Sequence, residues 1–313
     1  METLLTSFSA VGLVLLMVLV GYIFAWRSWA RKEHKDLIVK IIVNVAVPCV
    51  CIPNILVSFD VNLILQSPTL LLVPIIAVVI TALSGVLLAK TLKIEKRKFG
   101  GFAVMCGLSN SLFIGLPMCS ELFGQEAVPY VMFYYMINTL VFWTLGSVLL
   151  YRSGSENKKF GAKDILKSLM TPPLITLLVA VVLAFLKIEL PHIVMRFCEY
   201  MGALVSPLAL FFVGMVIYEV GFKFNFKSIG RDMLLVLLMR FVVSPLVMLL
   251  FCEIFDIQGI PRGVFLIESA MPVMTQSVVI STAAGADDAY TAMGMSMTTI
   301  ACFLVIPVIM SLI

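Results

Sequence analysis

The chain has 313 residues, 61% of them hydrophobic and 13% charged, with a mean hydropathy of +1.10. So little polar surface cannot cover a water-soluble globule of this size, so the composition excludes a soluble enzyme or binding module and calls for a lipid environment. The net charge of +4 is modest, and its placement along the chain follows membrane topology.

Crossing about 30 Å of hydrocarbon takes roughly 20 helical residues. Charged or turn-rich breaks divide the sequence into ten apolar runs, at 7–26, 37–59, 69–91, 99–122, 128–151, 164–187, 193–220, 229–253, 261–284 and 288–312. The first run follows Glu2 rather than a basic stretch and reaches Trp26 without a small-residue cleavage site, so it is expected to be retained as a helix. Long alternating strands are absent, which argues against an outer-membrane barrel.

Basic residues cluster in alternate loops. Arg27, Arg31, Lys32, Lys35 and Lys40 follow the first run, and Lys90, Lys93, Lys96, Arg97 and Lys98 follow the third. Arg152, Lys158, Lys159, Lys163 and Lys167 follow the fifth, and Lys223, Lys227 and Arg231 the seventh. By the positive-inside rule these loops are cytoplasmic and both termini lie outside, in the inner (plasma) membrane. The acidic turn "GADDA" at 285–289 is a weak exception. Reading the basic clusters as nucleic-acid sites would mistake topology for recognition, so no nucleic-acid partner is expected.

Five runs beginning outside followed by five beginning inside form an inverted repeat. The expected fold is therefore an all-α integral membrane protein of ten transmembrane helices in two inverted five-helix repeats, residues 1–151 and 164–313, joined by a short cytoplasmic linker at 152–163. Prolines sit in corresponding places: Pro48 and Pro207 in the second and seventh runs, and Pro117 and Pro272 in the fourth and ninth. Beside the latter pair lie polar residues, in "SNSLFIGLP" and "ESAMPVMTQS". A proline removes an N–H and crowds the preceding turn, so both helices are expected to open there. Open backbone survives at membrane depth only when buried in protein or lining a wet cavity. Two restarted half-helices would then point N–H groups and positive dipole ends at one spot, suited to an anion.

These stretches carry a resemblance. "NSLFIGLP" (110–117) followed by "ELFGQEA", and "ESAMP" followed by "STAAGADDAYTAMGMSMTTIACFLVIP", are similar to the two crossover regions of the auxin efflux carrier family. "NVAVPCVCIPNIL" and "SPLALFFVG" extend the likeness over nearly the whole chain. The resemblance implies a compact bacterial-type member, related in fold to bile acid–sodium symporters. Its fourth and ninth helices would break and cross beside a scaffold domain. It also implies that Asn110 matches an asparagine contacting substrate carboxylate in the plant carriers. The short central loop departs from those plant carriers with long regulatory loops, so loop phosphorylation does not carry over.

The function expected is secondary transport of a small organic anion, auxin-like or dicarboxylate, by alternating access. The alternative is a membrane receptor with the same pocket and no transport. Substrate-site candidates are Asn110, Ser111, Gly115, Pro117, Ser269, Pro272 and Gln276. Arg240 and Glu268 are charges within apolar runs, where a lone charge is costly. Either Glu268 carries a coupling proton, with Arg240 tuning it or holding the substrate, or the two form a static ion pair. Hydroxyls and opened backbone near Thr275, Gln276 and Ser277 leave sodium open as the coupling ion. Arg196 and Glu199 are expected to pair at an interface. Seven cysteines without a CxxC pair read as small buried hydrophobes, and His34 and His192 form no metal cluster. No cofactor and no catalytic chemistry are expected, since phosphate-binding, dinucleotide and paired-carboxylate motifs are missing. The partners are the substrate anion and the bilayer, with a homodimer left open.

Overall fold

The computed structural model describes residues 2–58, 68–154, 161–220 and 230–310. Within them every regular element is helical, and the sole extended pairing is an isolated antiparallel bridge between Ser109 and Val273. Part of the expected linker, residues 155–160, lies outside the described residues, as do Lys158, Lys159, Lys223, Lys227 and positions 311–312.

In chain order the helices are α1 (Glu2–Trp26), α2 (Lys32–Ile41), α3 (Val47–Ser58), α4 (Thr69–Thr91), α5 (Lys96–Gly107) and α6 (Leu116–Phe123). They continue with α7 (Val128–Val141), α8 (Ser147–Ser153), α9 (Ala162–Leu169), α10 (Pro172–Phe185), α11 (His192–Gly202) and α12 (Val205–Val220). The last are α13 (Arg231–Leu238), α14 (Ser244–Ile254), α15 (Gly259–Ser269), α16 (Gln276–Ala284) and α17 (Asp288–Met310).

Six stretches among the described residues are long and apolar enough to cross a membrane: Glu33–Val57, Thr69–Thr91, Gln125–Ser153, His192–Glu219, Arg231–Ile254 and Asp288–Met310. A seventh is α9 with α10, which meet at a 68° bend. The fourth and ninth predicted runs are each split into halves too short to span alone. Leu72, Ile75, Val79, Leu83 and Leu87 on α4, and Leu178, Val182 and Phe185 on α10, are exposed. Such long stripes of bare aliphatic surface suit acyl chains and would be untenable in water.

Wider turns carry the prolines. The chain forms π-helical turns at Ile42–Ala46, Ser111–Gly115, Phe142–Gly146 and Met239–Val243. Three of them end two residues before a proline, namely Pro48, Pro117 and Pro245. Opening the turn to an i→i+5 register, as in Leu116 N–H to Ser111 O, moves the carbonyl four residues back away from the proline ring. Pro48 accordingly causes no interruption: α2, its π turn and α3 run on from Lys32 to Ser58. The seventh run does bend, at Ala203–Leu204, which leaves Pro207 in the first turn of α12.

Small residues set the closest crossings. On α1 and α12, a Cβ at Gly21 would stand 1.9 Å from the Phe211 carbonyl oxygen, and one at Gly214 1.9 Å from that of Val18. Backbones this close need glycine on both sides. Elsewhere α3 packs on α10 and α11, α4 on α5, α7 and α14, and α14 on α15. The broken helices are held by α7, α8 and α17: α15 packs on α7 and α17, and α5 on α8 and α17.

Candidate functional site: the paired helix breaks

The first break falls at Leu108–Asn110, seven residues before Pro117, and the second at Ala270–Thr275, around Pro272. Pro117 thus opens no gap. It is buried inside the continuous helix Ser111–Phe123, where the π turn before it makes room for its ring.

The two opened strands lie against each other. Asn110 N–H donates to the Pro272 carbonyl at 2.8 Å, adjoining the Ser109–Val273 bridge. The remaining backbone groups, which cannot turn to water, find side chains instead. Asn138 of α7 accepts from Ser109 N–H at 3.1 Å and donates to Ser109 O at 2.7 Å, and Tyr134 shares a 3.1 Å hydrogen bond with the Ser109 hydroxyl. Thr298 of α17 accepts from Val273 N–H at 3.1 Å. Asn138 of α7 therefore serves the first break and Thr298 of α17 the second. Sequence reading passed over both, because a lone amide or hydroxyl in an apolar run has no spacing to distinguish it.

Arg240 heads the largest fully buried side chains, at 0% exposure, yet it forms no ion pair with Glu268. Its Nε donates to Met271 O at 2.7 Å and its Nη2 to Ser269 O at 3.1 Å, while Ser244 Oγ donates to Ser269 O at 2.9 Å. The guanidinium thus caps the negative C-terminal end of α15 and bridges it to the π turn after α13. Carbonyls, rather than a carboxylate, are the partners that a helix break supplies. Ser269 spends its own hydroxyl on Leu266 O, so it contributes backbone to the site and no free side chain.

Asn110 caps the first restart: its Oδ1 accepts from Phe113 N–H at 3.3 Å. Its Nδ2 donates to Thr275 Oγ1 at 3.0 Å, and Thr275 is the residue before α16. The residues at the N-cap positions of both restarted helices are therefore bonded to each other, Asn110 alone also making a side-chain cap bond. Gln276, next to Thr275, has an exposed side chain, so the polar contact expected of it falls to its neighbour. Asn110 and Thr275 line a cavity of about 10 Å³, room for about one water, closed by Ile114, Phe212, Val216 and Ser296.

Glu268 faces the other side of the π turn. A Cβ at Gly115 would stand 2.2 Å from Glu268 Oε1, so glycine is what lets the carboxyl lie on that turn. Cys119 Sγ donates to Oε1 at 3.8 Å. Oε2, Ser111 Oγ and Arg240 Nη1 are buried with no hydrogen-bond partner. Ser111 is nonetheless the polar neighbour of the Glu268 carboxyl, and Tyr134 that of Arg240, so these groups face one another at the crossover without hydrogen bonds of normal geometry. Among the described residues no cluster suited to a metal ion occurs, and all seven cysteines are free and buried.

A larger cavity of about 490 Å³ lies beyond Leu116, between α3, α6, α11 and the start of α12, with Asn54, Ser120, Glu121, Gln125, Glu199 and Ser206 in its wall. Glu199 belongs to this wall, while Arg196 donates to the Tyr200 hydroxyl at 2.8 Å and stacks on its ring. The expected Arg196–Glu199 pair does not form; Arg196 engages Tyr200 instead.

The model of the Membrane transport protein family matches residues 6–310. An uncharacterized transporter of Methanocaldococcus jannaschii is 27% identical over 275 residues, covering 86% of this chain and 87% of the relative. A second, from Methanothermobacter thermautotrophicus, is 28% identical over 272 residues, covering 86% and 85%. With exposed aliphatic helices and a match over nearly its whole length, the chain belongs to the Membrane transport protein family, that of the auxin efflux carriers.

Proposed function

We propose that this multi-pass transporter moves a small organic anion, an auxin-like carboxylate or a dicarboxylate, by alternating access, with the substrate bound where the two helix breaks meet. The observation that carries this reading is the bond between Asn110 and Thr275, the residues at the N-cap positions of the two restarted helices. Two positive helix ends and an amide with one N–H still to give converge on one buried spot, which favours a carboxylate over a cation. The 490 Å³ cavity is the approach to it. Because Glu121 and Glu199 stand in that wall, selectivity for an anion rests on the crossover itself.

Ten spans in two inverted repeats, both termini outside, complete the proposal. Exchanging each helix for its counterpart five spans on turns the α1–α12 crossing into the α10–α3 crossing, and the α4–α5 contact into α14–α15. That correspondence supports the repeat. Glu268, buried beside Gly115 with Oε2 unpartnered, is the coupling group and takes a proton or helps to hold sodium.

The test is uptake of radiolabelled malonate and of an aromatic acetate into proteoliposomes under imposed proton or sodium gradients. Saturable uptake that Glu268→Gln uncouples from its driving gradient supports the proposal. Ligand binding without uptake under either gradient would make the protein a receptor.

A further inference from the structure

We propose that a basic groove at the end of α4 binds the phosphate of an acidic phospholipid. The groove has a volume of about 420 Å³ and lies between the end of α4, the start of α5 and the end of α8. Lys90, Lys96 and Arg152 reach it from three different elements, over a floor that includes Val86, Phe99 and Leu149. None of the three cations has a carboxylate within ion-pair distance among the described residues. Lys98, in the same basic cluster, is spent differently: it pairs with Glu95 at 3.6 Å and lies over the Tyr290 ring at 5.5 Å.

The walls are fixed. Gly100 N–H donates to Ser153 Oγ at 2.8 Å, and a Cβ at Gly100 would stand 2.5 Å from Leu149 O, so α5 and α8 touch backbone to backbone. Three cations with no ion-pair partner among the described residues, in a rigid, headgroup-sized recess, form a site for a phosphate diester. The apolar floor separates a lipid from a soluble anion. It continues along α4 into the exposed Leu87 and Leu83, one and two turns into the hydrocarbon from Lys90, which gives acyl chains a path that inorganic phosphate would not use.

The experiment uses the purified full chain and measures binding by native mass spectrometry and protection by thermal unfolding. The probes are phosphatidylglycerol, phosphatidylcholine and inorganic phosphate. Phosphatidylglycerol is expected to bind and protect in preference to the other two. The triple variant Lys90→Gln/Lys96→Gln/Arg152→Gln should lose roughly a hundredfold in affinity for it, and Arg152→Gln alone about fivefold. Arg27→Gln/Arg31→Gln/Lys163→Gln removes equal charge elsewhere and should keep the preference. These side chains are exposed, and matching unfolding temperatures in phosphatidylcholine establish that the variants fold. Undiminished phosphatidylglycerol affinity in the triple variant, an equal loss in the control, or equal protection by inorganic phosphate would each overturn the proposal.

Discussion

Replacing Gly115 by alanine tests the tightest contact at the crossover. The new methyl would stand 2.2 Å from Glu268 Oε1 and 2.6 Å from Cδ and Oε2. Ordinary contact begins near 3.4 Å, so the carboxyl must retreat by about 1.2 Å. It has nowhere to go cheaply, being 0% exposed with Cys119 against Oε1. Overpacking of this kind costs about 1–3 kcal/mol, which for a chain of this length lowers the unfolding temperature by roughly 2–8 °C. The clash requires the glutamate. In a Glu268→Ala background the same methyl meets no carboxyl, and only the helix preference for alanine over glycine remains, a gain of about 0.5–1 kcal/mol. Gly115→Ala is therefore expected to destabilise the wild type and to stabilise the Glu268→Ala variant. Thermal unfolding of the four proteins in one detergent closes the cycle. An effect of the same sign and size in both backgrounds would refute the argument that glycine is there to seat the carboxyl.

Asn110→Ala removes both the cap on Phe113 N–H and the bond to Thr275, so it should cost about 0.5–2 kcal/mol of stability and weaken anion binding roughly tenfold to a hundredfold. Asn110→Asp retains an acceptor for Phe113 but removes the donor, so it should recover most of the stability and none of the binding; malonate affinity equal to wild type in either variant would take Asn110 out of the site. Arg240→Met leaves Ser269 O and Met271 O without their charged donor and should destabilise the protein by several kcal/mol, seen as loss of a sharp unfolding transition, whereas a purely peripheral arginine would be replaced without effect. For topology, Glu126→Cys should react with an impermeant maleimide from outside and Lys163→Cys from inside only, against a low background because the native cysteines are buried; the reverse pattern would invert the proposed orientation.

Hydropathy located the helices well, because spanning length and the cost of burying charge leave little freedom in where a membrane chain can turn. The breaks were harder. Pro117 drew attention to the correct segment for a reason that does not hold: the π turn at Ser111–Gly115 accommodates it, and the chain opens seven residues earlier, at Leu108–Asn110. Hydrophobicity carries no record of a widened turn. Arg240 and Glu268 stand out in the sequence as charges in hydrocarbon, with a coupling role and a static ion pair both open. A broken helix, however, offers a row of free carbonyls to an arginine, and no count of charges in the sequence reveals them. Thr275 rather than Gln276 meets Asn110 because a one-residue step along the restart of α16 turns the side chain by about 100°.

The cavity at Asn110 also constrains how a transport cycle could use it. At about 10 Å³ it holds no carboxylic acid, so on the proposed reading the spot would have to widen before a substrate enters. Its walls come from two sources: Phe212, Val213, Val216 and Ile217 belong to α12, while Met295, Ser296 and Thr299 belong to α17. The close approach of α12 to α1 at Gly21 and Gly214 would favour the two helices moving together on the proposed cycle. On the other side, the breaks are tied to α7 through Asn138, to α17 through Thr298 and to the turn after α13 through Arg240, and these polar anchors would be costly to part in lipid. The Asn110–Thr275 bond lies wholly within that second group, so it can persist while the apolar faces of α12 slide past. On the transport cycle proposed above, opening between α12 and the crossover bundle would break van der Waals contacts and few hydrogen bonds, and would leave the free N–H of Asn110 facing the space that opens.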